Sequence, residues 1–186
     1  MRKLLAQLSA LPASPAVTRL DTAGESAIEP PREVPQLNRA MYALSEAANH
    51  SVLWLTINWL NVARHPSAET AMRAARISAA IGAESLICNQ GVKRLFNRER
   101  PPEPEARPHK LRRPQTSSFP SGHAASAACA LFVLGNRRNL WWLGPLAALV
   151  GFSRAFVRVH HLSDVLAGFS FGAVVGLVFR RILAKF

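Results

Sequence analysis

The stretch Phe-Pro-Ser-Gly-His at residues 119–123 combines a turn, a helix start and a titratable imidazole. Pro120 favours the first turn of a helix, where its missing N–H costs nothing, and an apolar run rich in alanine follows from 124 to 134. The first N–H groups of such a helix are unpaired and lie at the positive end of its dipole, while Gly122 lets a ligand approach the backbone closely. The pattern indicates an anion site, although a Ser-Gly pair before a helix is more often a plain cap.

Two further groups of polar residues lie where predicted helices end or begin. If consecutive helices run in opposite directions, both groups lie at the same end of the bundle as the helix start at Pro120. The first group is a lysine followed after six residues by Arg-Pro; the second is Ser-Arg, five residues, a histidine, three residues and an aspartate. By number they are Lys93, Arg100 and Pro101, and Ser153, Arg154, His160 and Asp164.

The three cations of these groups point to a phosphate ligand. Lys93, Arg100 and Arg154 would repel one another at close range unless an anion neutralised them. Phosphate oxygens match the geometry of guanidinium groups, so the convergence of these side chains indicates a phosphate site.

The histidines supply the groups that a reaction of that phosphate would need. His160 and Asp164 are four residues apart, so one helical turn brings the carboxylate to one imidazole nitrogen and leaves the other free to attack. A histidine oriented in this way is a base or a nucleophile. His123, on the opposite helix, is then placed to donate a proton to a leaving oxygen.

Each residue also has an ordinary structural interpretation when it is taken alone. Lys93 and Arg100 could be interfacial charges, and Asp164 could cap a helix. The three patterns in this order are not expected by chance, however, and they resemble the motifs of the type 2 phosphatidic acid phosphatase superfamily. The resemblance covers residues 40–180, and all three motifs are intact.

This resemblance implies a role for every residue of the motifs. His160 would be the nucleophile that forms a phosphohistidine, Asp164 its orienting partner and His123 the general acid for the leaving group. Backbone N–H groups of the helix start would help to bind the phosphate. The family's reaction requires no metal and no cofactor. The residues implied to hold the phosphate oxygens are Lys93, Arg100, Ser121, Gly122 and Arg154.

The remaining histidines and cysteines do not form a recognised metal motif. The chain has six histidines, but neither a His-Glu-x-x-His sequence nor a paired cysteine motif. His161 is the one ambiguity, and the motif spacing selects His160 over it, which leaves His161 as a rim or packing residue. Cys88 and Cys129 lie inside predicted helices, so we interpret both as small buried hydrophobic residues.

Composition bounds the class of protein. A chain of 186 residues suits one domain of about five helices. Its 23 Lys and Arg against 11 Asp and Glu give a net charge of +12, which favours nucleic acid, an anionic membrane surface or phosphate as a partner. The basic residues are scattered between apolar runs and carry no zinc-finger or RNA-binding pattern, so we exclude nucleic acid.

The order of apolar runs and helix breakers predicts an all-α fold, a membrane bundle of about five transmembrane helices. The resemblance implies that this bundle has the phosphatidic acid phosphatase type 2 core. Gly168, Gly172 and Gly176 lie four residues apart on one helix face, which permits close packing. Glu84 is the only charge between 77 and 92, and we expect it to face the bundle interior. The predicted helices are 37–63, 68–96, 120–135, 140–157 and 164–183.

The membrane assignment depends on short apolar runs. Mean hydropathy is only +0.07, so arginines and lysines at the helix ends must complete the spans by snorkelling. Residues 1–36 are interrupted by prolines and predict a flexible or interfacial N-terminal tail, whereas residues 37–186 form the helical phosphatase domain. Six spans are usual in the family, and the tail stands where the sixth would be.

The resemblance implies an integral, multi-pass cell-membrane phosphatase whose partners are the bilayer and a lipid phosphate. Phosphatidic acid, phosphatidylglycerol phosphate, polyprenyl diphosphates and polyprenyl phosphosugars are all candidate substrates. Residues 44–51 look like actinobacterial members, including forms fused to lipid kinases, which favours phosphatidic acid or polyprenyl substrates. A slight bias of basic residues between the two ends of the bundle, together with the usual orientation of the family, predicts an active site on the extracytoplasmic side. The glycine face allows a homo-oligomeric contact as well as an internal one.

Two other interpretations stay open. The chain could be a soluble relative, either an acid phosphatase or a vanadium haloperoxidase, in which case it would be extracted as a stable monomer without detergent. Alternatively, it could be a noncatalytic membrane protein that binds anionic lipid headgroups with its cations. Binding that survives the loss of His160, without turnover in the intact protein, would identify that second alternative.

Overall fold

The computed structural model of the protein describes residues 14–103, 109, 111 and 113–185. Over these residues the secondary structure is entirely helical, which confirms the predicted all-α class. Seven α-helices are present in this part of the chain, two more than the sequence predicts. They are α1 (Pro15–Arg32), α2 (Pro35–Ala47), α3 (Val52–Arg64), α4 (Ala68–Leu86), α5 (Gly122–Leu134), α6 (Leu140–Phe156) and α7 (Leu162–Leu183).

Helices α5 and α7 form the centre of the bundle and touch through their backbones. Every residue from 124 to 130 of α5 is buried. A Cβ atom at Gly168 would lie 2.4 Å from the carbonyl oxygen of Ser121, and one at Gly172 would lie 2.0 Å from that of Ala125. Both distances are too short for any side chain, so the predicted glycine face serves the internal contact between α5 and α7.

We expect the Gly172→Ala variant to lose about 1–3 kcal/mol of stability, because the added methyl group must push α5 and α7 apart. Gly82→Ala is the matched control, since Gly82 lies in α4 with nothing within 4 Å of the added Cβ. That control should be neutral or stabilised by about 0.5–1 kcal/mol, the helix preference for alanine over glycine. Unfolding of both proteins in the same detergent measures the difference, and equal stability of the two variants would contradict the close contact.

Helix α4 ends in two irregular turns that direct a cation inward. The helix begins with a capping box, in which Ser67 and Thr70 exchange hydrogen bonds of 3.1 Å between side chain and backbone. At its other end the chain continues as a π-helical turn, Ile87–Gly91, and a 3₁₀ turn, Val92–Leu95. Lys93 is thereby buried, at 7% exposure. The predicted extent of this segment is therefore nearly correct, but its last part is wound differently.

Glu84 faces the interior of the bundle, as predicted. It lies in α4 and is 0% exposed, and its Oε2 accepts a 2.8 Å hydrogen bond from the hydroxyl of Ser126 in α5. The same hydroxyl lies 3.2 Å from that of Ser51. Glu84 is thus part of a buried polar contact between three segments of the bundle.

The single helix predicted over residues 37–63 is wrong. The chain breaks between α2 and α3, where His50 and Ser51 adopt left-handed backbone conformations with φ of 52° and 61°. Such conformations cost free energy in residues other than glycine and interrupt the hydrogen-bonding pattern of a helix. The break turns the chain at Asn49, whose side chain reaches the site described below.

The expectation of a mobile tail over residues 1–36 is corrected for its described part. Residues 15–32 form α1, capped by Ser14, with Asp21, Gly24 and Ile28 buried against the rest of the bundle. A Cβ at Gly24 would lie 2.7 Å from Leu162 Cδ2, so α1 packs tightly on the start of α7. Prolines 30 and 31 stand in the last turn of the helix and do not prevent it. Residues 1–13 lie outside the described residues, and the interfacial alternative stays a prediction.

Within the described part of the chain, α7 is the helix long and apolar enough to cross a membrane. Helices α5 and α6 are apolar but shorter, with 13 and 17 residues. The number of membrane crossings therefore stays a prediction. Large apolar side chains of α7 are exposed on the outside of the bundle, namely Leu166, Val174, Leu177, Val178 and Ile182.

Candidate active site

His160 lies in the short connection between α6 and α7. The connection is held by Arg154, whose carbonyl oxygen accepts 3.1 Å hydrogen bonds from the backbone N–H groups of Val159 and His160. The imidazole is 3% exposed, with Nδ1 3.6 Å from Asp164 Oδ2 and Nε2 3.4 Å from a terminal nitrogen of Arg100. The first distance is longer than an ordinary hydrogen bond but short enough for electrostatic attraction. The imidazole therefore lies with one nitrogen towards the carboxylate and the other towards a cation, as the sequence predicts.

Asp164 is held by donors from three segments of the chain. The carboxylate is 0% exposed and accepts hydrogen bonds from the Ser118 hydroxyl, from Arg98 at 2.5 Å and from the backbone N–H of His161 at 2.9 Å. Its own carbonyl oxygen accepts a 2.9 Å hydrogen bond from the backbone N–H of Ser121. Asp164 is thus both a cap of α7 and the neighbour of His160, and its role as the orienting partner of a nucleophile stays a prediction.

The guanidinium of Arg100 is fixed by backbone carbonyl groups. One terminal nitrogen donates to Val159 O at 2.9 Å, and the other donates to Thr116 O at 3.0 Å and Ser117 O at 3.2 Å. These contacts tie the loop after α4, the segment before α5 and the connection carrying His160 into one unit. Arg100 therefore organises the site as well as contributing charge to it.

Two other cations, Arg154 and Lys93, lie near Arg100 in the candidate site. Arg154 is 1% exposed, and its guanidinium donates to the hydroxyl and the carbonyl oxygen of Ser45 in α2. Lys93 lies close enough to Arg100 and Arg154 for both of these positive charges to lower its pKa. The predicted convergence of the cations is therefore present in the structure, and their binding of phosphate stays a prediction.

Burial shifts the pKa values of the groups in the connecting segments. It lowers the pKa of His160 to about 3, with further lowering by the charges of Arg100 and Lys93 and an opposing effect of Asp164. The imidazole is consequently neutral at neutral pH and keeps a lone pair for attack. Burial also lowers the pKa of Lys93 to about 8 and that of Arg100 to about 10, so both remain mostly protonated at neutral pH.

The start of α5 is a helix cap that is closely packed at Gly122. The Ser121 hydroxyl accepts from the backbone N–H of Ala124 at 3.4 Å, so the plain cap predicted as the alternative is real. A Cβ at Gly122 would lie 2.8 Å from Asn89 Oδ1, which explains the glycine by packing. Phe96 and Phe119 stack edge to face, with centroids 4.7 Å apart, and bring the turn that carries Lys93 towards this helix start.

His123 has a partner that the sequence analysis missed. Its Nε2 lies 3.0 Å from Asn49 Oδ1, and the amide nitrogen of Asn49 donates to Glu46 at 3.0 Å. Because that amide nitrogen is engaged with Glu46, the oxygen of Asn49 faces the histidine and is placed to accept a hydrogen bond from Nε2. Asn49 therefore orients His123. The polar Asn-His-Ser sequence within an otherwise apolar stretch was the available signal for it.

Other contributors were also missed, because their positions depend on tertiary contacts. Ser118 and Arg98 contact Asp164 directly, although neither has a motif role. Asp21 and Ser163 extend these contacts towards α1. A cavity of about 600 Å³ lies between α1 and the connecting loops, and both His160 and His161 line it.

Among the residues that the structure describes, no group of three or more His, Cys, Asp or Glu side chains is arranged to hold a metal ion. Metal independence stays a prediction from the sequence resemblance. His161 lines the cavity beside His160, in keeping with the rim role expected for it.

The fold of this chain also occurs in a membrane phosphatase. The chain is similar to the crystal structure of a transmembrane PAP2 type phosphatidylglycerolphosphate phosphatase from Bacillus subtilis, with a TM-score of 0.70 and 25% sequence identity. The alignment covers 98% of this chain and 93% of the other. The protein is accordingly a membrane protein with the fold of that class.

The family itself follows from the sequence comparison. The model of the PAP2 superfamily matches residues 73–186, and the chain belongs to this superfamily. It is 30% identical to the decaprenylphosphoryl-5-phosphoribose phosphatase of Mycobacterium tuberculosis, over 73% of this chain and 74% of that protein. It is 39% identical to phosphatidylglycerophosphatase B of Bacillus subtilis, over 31% of this chain and 35% of that protein. A hydrolase acting on phosphoric ester bonds is thereby supported.

If the site acts on phosphate esters, kcat/KM should fall as the pH rises above about 8. The pKa of Lys93 in the free enzyme is lowered to about 8, chiefly by burial, and the ammonium form that attracts phosphate is lost above this value. The Lys93→Arg variant keeps its charge, so its profile should not show this fall. Initial rates of both proteins between about pH 6 and pH 10 measure the effect. Identical profiles would assign the fall to a different group.

Proposed function

We propose that the protein is an integral membrane phosphatase that hydrolyses a lipid phosphate through a phosphohistidine formed on His160. The observation that carries this proposal is the buried, neutral His160, whose Nδ1 faces Asp164 and whose Nε2 faces the guanidinium of Arg100. A neutral imidazole beside cations is suited to attack an anionic phosphoryl group, which the cations both attract and polarise.

In the proposed reaction, His160 Nε2 attacks phosphorus while the bond to the lipid oxygen breaks. His123, as an imidazolium, gives a proton to that oxygen as the lipid alcohol leaves. A water molecule then attacks the phosphohistidine, His123 takes its proton, and the P–N bond breaks to release inorganic phosphate. Lys93, Arg100 and Arg154 stabilise the phosphoryl oxygens in both steps, together with the start of α5. Asp164 stabilises the positive charge that develops on His160.

We infer a lipid substrate from the environment of the site and from the relatives. The exposed apolar side chains of α7 fit the hydrocarbon interior of a bilayer. A lipid substrate can then reach the site from the bilayer. The Mycobacterium tuberculosis relative acts on a decaprenylphosphoryl-5-phosphoribose and matches about three quarters of each chain. A polyprenyl phosphosugar is therefore the first substrate to test, ahead of phosphatidylglycerol phosphate and phosphatidic acid.

The test is phosphate release by the detergent-purified protein with EDTA present. The substrates are decaprenylphosphoryl-5-phosphoribose, phosphatidylglycerol phosphate, phosphatidic acid and a polyprenyl diphosphate, with ribose 5-phosphate as the matched water-soluble control. Release from one lipid with little release from ribose 5-phosphate would support the proposal and identify the substrate. Equal release from ribose 5-phosphate would support a broad phosphomonoesterase, and binding of lipid phosphates without release would support the sequestering protein. Loss of activity in EDTA would contradict the metal-free reaction.

A further inference from the structure

Asp21 makes three hydrogen bonds to the segments that carry the candidate site. It lies in α1 and is 9% exposed. One carboxylate oxygen accepts from the backbone N–H of Ser163 at 2.8 Å; the other accepts from the Ser163 hydroxyl at 2.8 Å and from Arg98 at 2.5 Å. A carboxylate held by this many donors is fixed in position.

Arg98 connects this carboxylate to the aspartate beside His160. One terminal nitrogen of Arg98 contacts Asp21, and the other contacts Asp164 Oδ1 at 2.5 Å and the Ser163 hydroxyl at 2.7 Å. A single guanidinium therefore stands between two buried carboxylates. Arg98 does not contact Asp164 Oδ2, the oxygen nearest to His160. That oxygen accepts hydrogen bonds from the Ser118 hydroxyl and from the backbone N–H of His161.

We propose that Asp21 is a positioning residue for the reaction, acting through Arg98 and Ser163 to keep Asp164 directed at His160. This inference rests on the proposed function of His160. Asp21 balances the charge of Arg98 and holds it at the far side of Asp164. Without that balance, the guanidinium pairs with Asp164 alone, and the carboxylate turns from the imidazole towards the cation. The histidine then loses both its orientation and part of the stabilisation of its developing charge.

The residue comes from a segment that the family model does not cover. The PAP2 model matches residues 73–186, whereas α1 ends at Arg32. Arg98 lies within the first motif region but at a position between Lys93 and Arg100 that the motif leaves unspecified. The structure thus assigns to α1 a contribution to the site that the three motifs do not contain.

Docking of α1 does not depend on Asp21 alone. A second set of contacts, the Glu25 cluster, consists of Glu25, Glu29, Arg32 and Arg158. In this cluster Arg32 also donates to the carbonyl oxygens of Phe156 at 2.7 Å and Ala155 at 3.0 Å. Because these contacts fasten α1 to the α6–α7 connection independently, loss of the Asp21 carboxylate should leave the helix in place.

The experiment compares Asp21→Asn with Glu29→Gln in the full-length, detergent-purified protein. Both variants remove one carboxylate from α1. Among the described residues, however, the ion-pair partners of Glu29 are Arg32 and Arg158, and Glu25 continues to bind both. The measured quantity is the rate constant for labelling the protein with ³²P from lipid substrate, taken from the exponential phase after rapid mixing. This rate constant does not depend on the fraction of protein that is active. KM and thermal stability are measured in parallel.

We expect Asp21→Asn to lower this rate constant by about tenfold or more, the usual effect of losing a partner that orients a reacting histidine. KM should change little, because Lys93, Arg100 and Arg154 are untouched. Glu29→Gln should stay within about twofold of the unmodified protein. Arg98→Gln should lower the rate constant at least as much as Asp21→Asn, and adding Asp21→Asn to it should have little further effect.

Two outcomes would overturn the inference in different ways. A labelling rate constant unchanged in Asp21→Asn, with only a lower thermal stability, would make Asp21 a structural contact and leave the proposed function intact. An unmodified protein that releases phosphate without a labelled histidine would overturn the proposed mechanism and this inference with it.

Discussion

The His160→Ala variant should lose lipid phosphate hydrolysis by about four orders of magnitude or more, and its phosphorylated intermediate should disappear. Removal of a covalent nucleophile typically has effects of this size, because the remaining residues bind the substrate but cannot form the intermediate. Single turnovers with ³²P-labelled substrate, followed by denaturing electrophoresis, measure both effects. The label on the unmodified protein should be stable in alkali and labile in acid, as expected of a phosphohistidine.

His161→Ala is the matched control for this experiment. The two histidines are adjacent and both line the cavity between α1 and the connecting loops. Only His160 lies between Asp164 and Arg100, however. The control should therefore retain activity and labelling. Labelling that persists in His160→Ala and is lost in His161→Ala would reverse the assignment that the motif spacing suggests.

The second large effect expected is a dependence of the His123→Ala variant on the leaving group. With a lipid phosphate, loss of the general acid should reduce kcat by about 10²–10⁴-fold, because an alkoxide is a poor leaving group without a proton. With p-nitrophenyl phosphate the reduction should be below about tenfold, since the phenolate leaves without protonation. Comparison of kcat for the two substrates, in the same detergent, measures this difference.

The comparison also separates His123 from a purely structural residue. A residue needed only for packing would reduce the rates of both substrates by the same factor. Asn49→Ala should show a weaker form of the same pattern, because Asn49 contacts His123 Nε2 at 3.0 Å and orients it. An equal loss with both substrates in His123→Ala would contradict its role as the general acid.

The sequence analysis succeeded where the information was local. Spacing alone placed Asp164 one turn from His160, and the glycines at four-residue intervals predicted a close helix contact that the structure contains. The start of α4 at Ala68 was also predicted correctly, whereas α5, predicted to begin at Pro120, begins two residues later at Gly122. In each case the residue and its partner lie within a few positions of one another, or the residue type limits the backbone directly.

The rest depends on contacts between distant segments. Nothing near Asp21 indicates that its partner is Ser163, and a segment containing several prolines is usually irregular. The break at His50 and Ser51 occurs in residues that rarely adopt positive φ, and packing of α2 and α3 on the bundle maintains it. In the sequence Arg98 is one more charge in a basic loop, because its two carboxylate partners, Asp21 and Asp164, lie in distant segments.

The contact between Asp21 and Ser163 also concerns how the protein is made. The two residues are 142 positions apart, so their hydrogen bonds form only after the chain has been synthesised through the start of α7. Contacts between such distant residues are late events in folding, because a long loop must close first. A newly made chain therefore cannot complete the candidate site before the start of α7 has been synthesised.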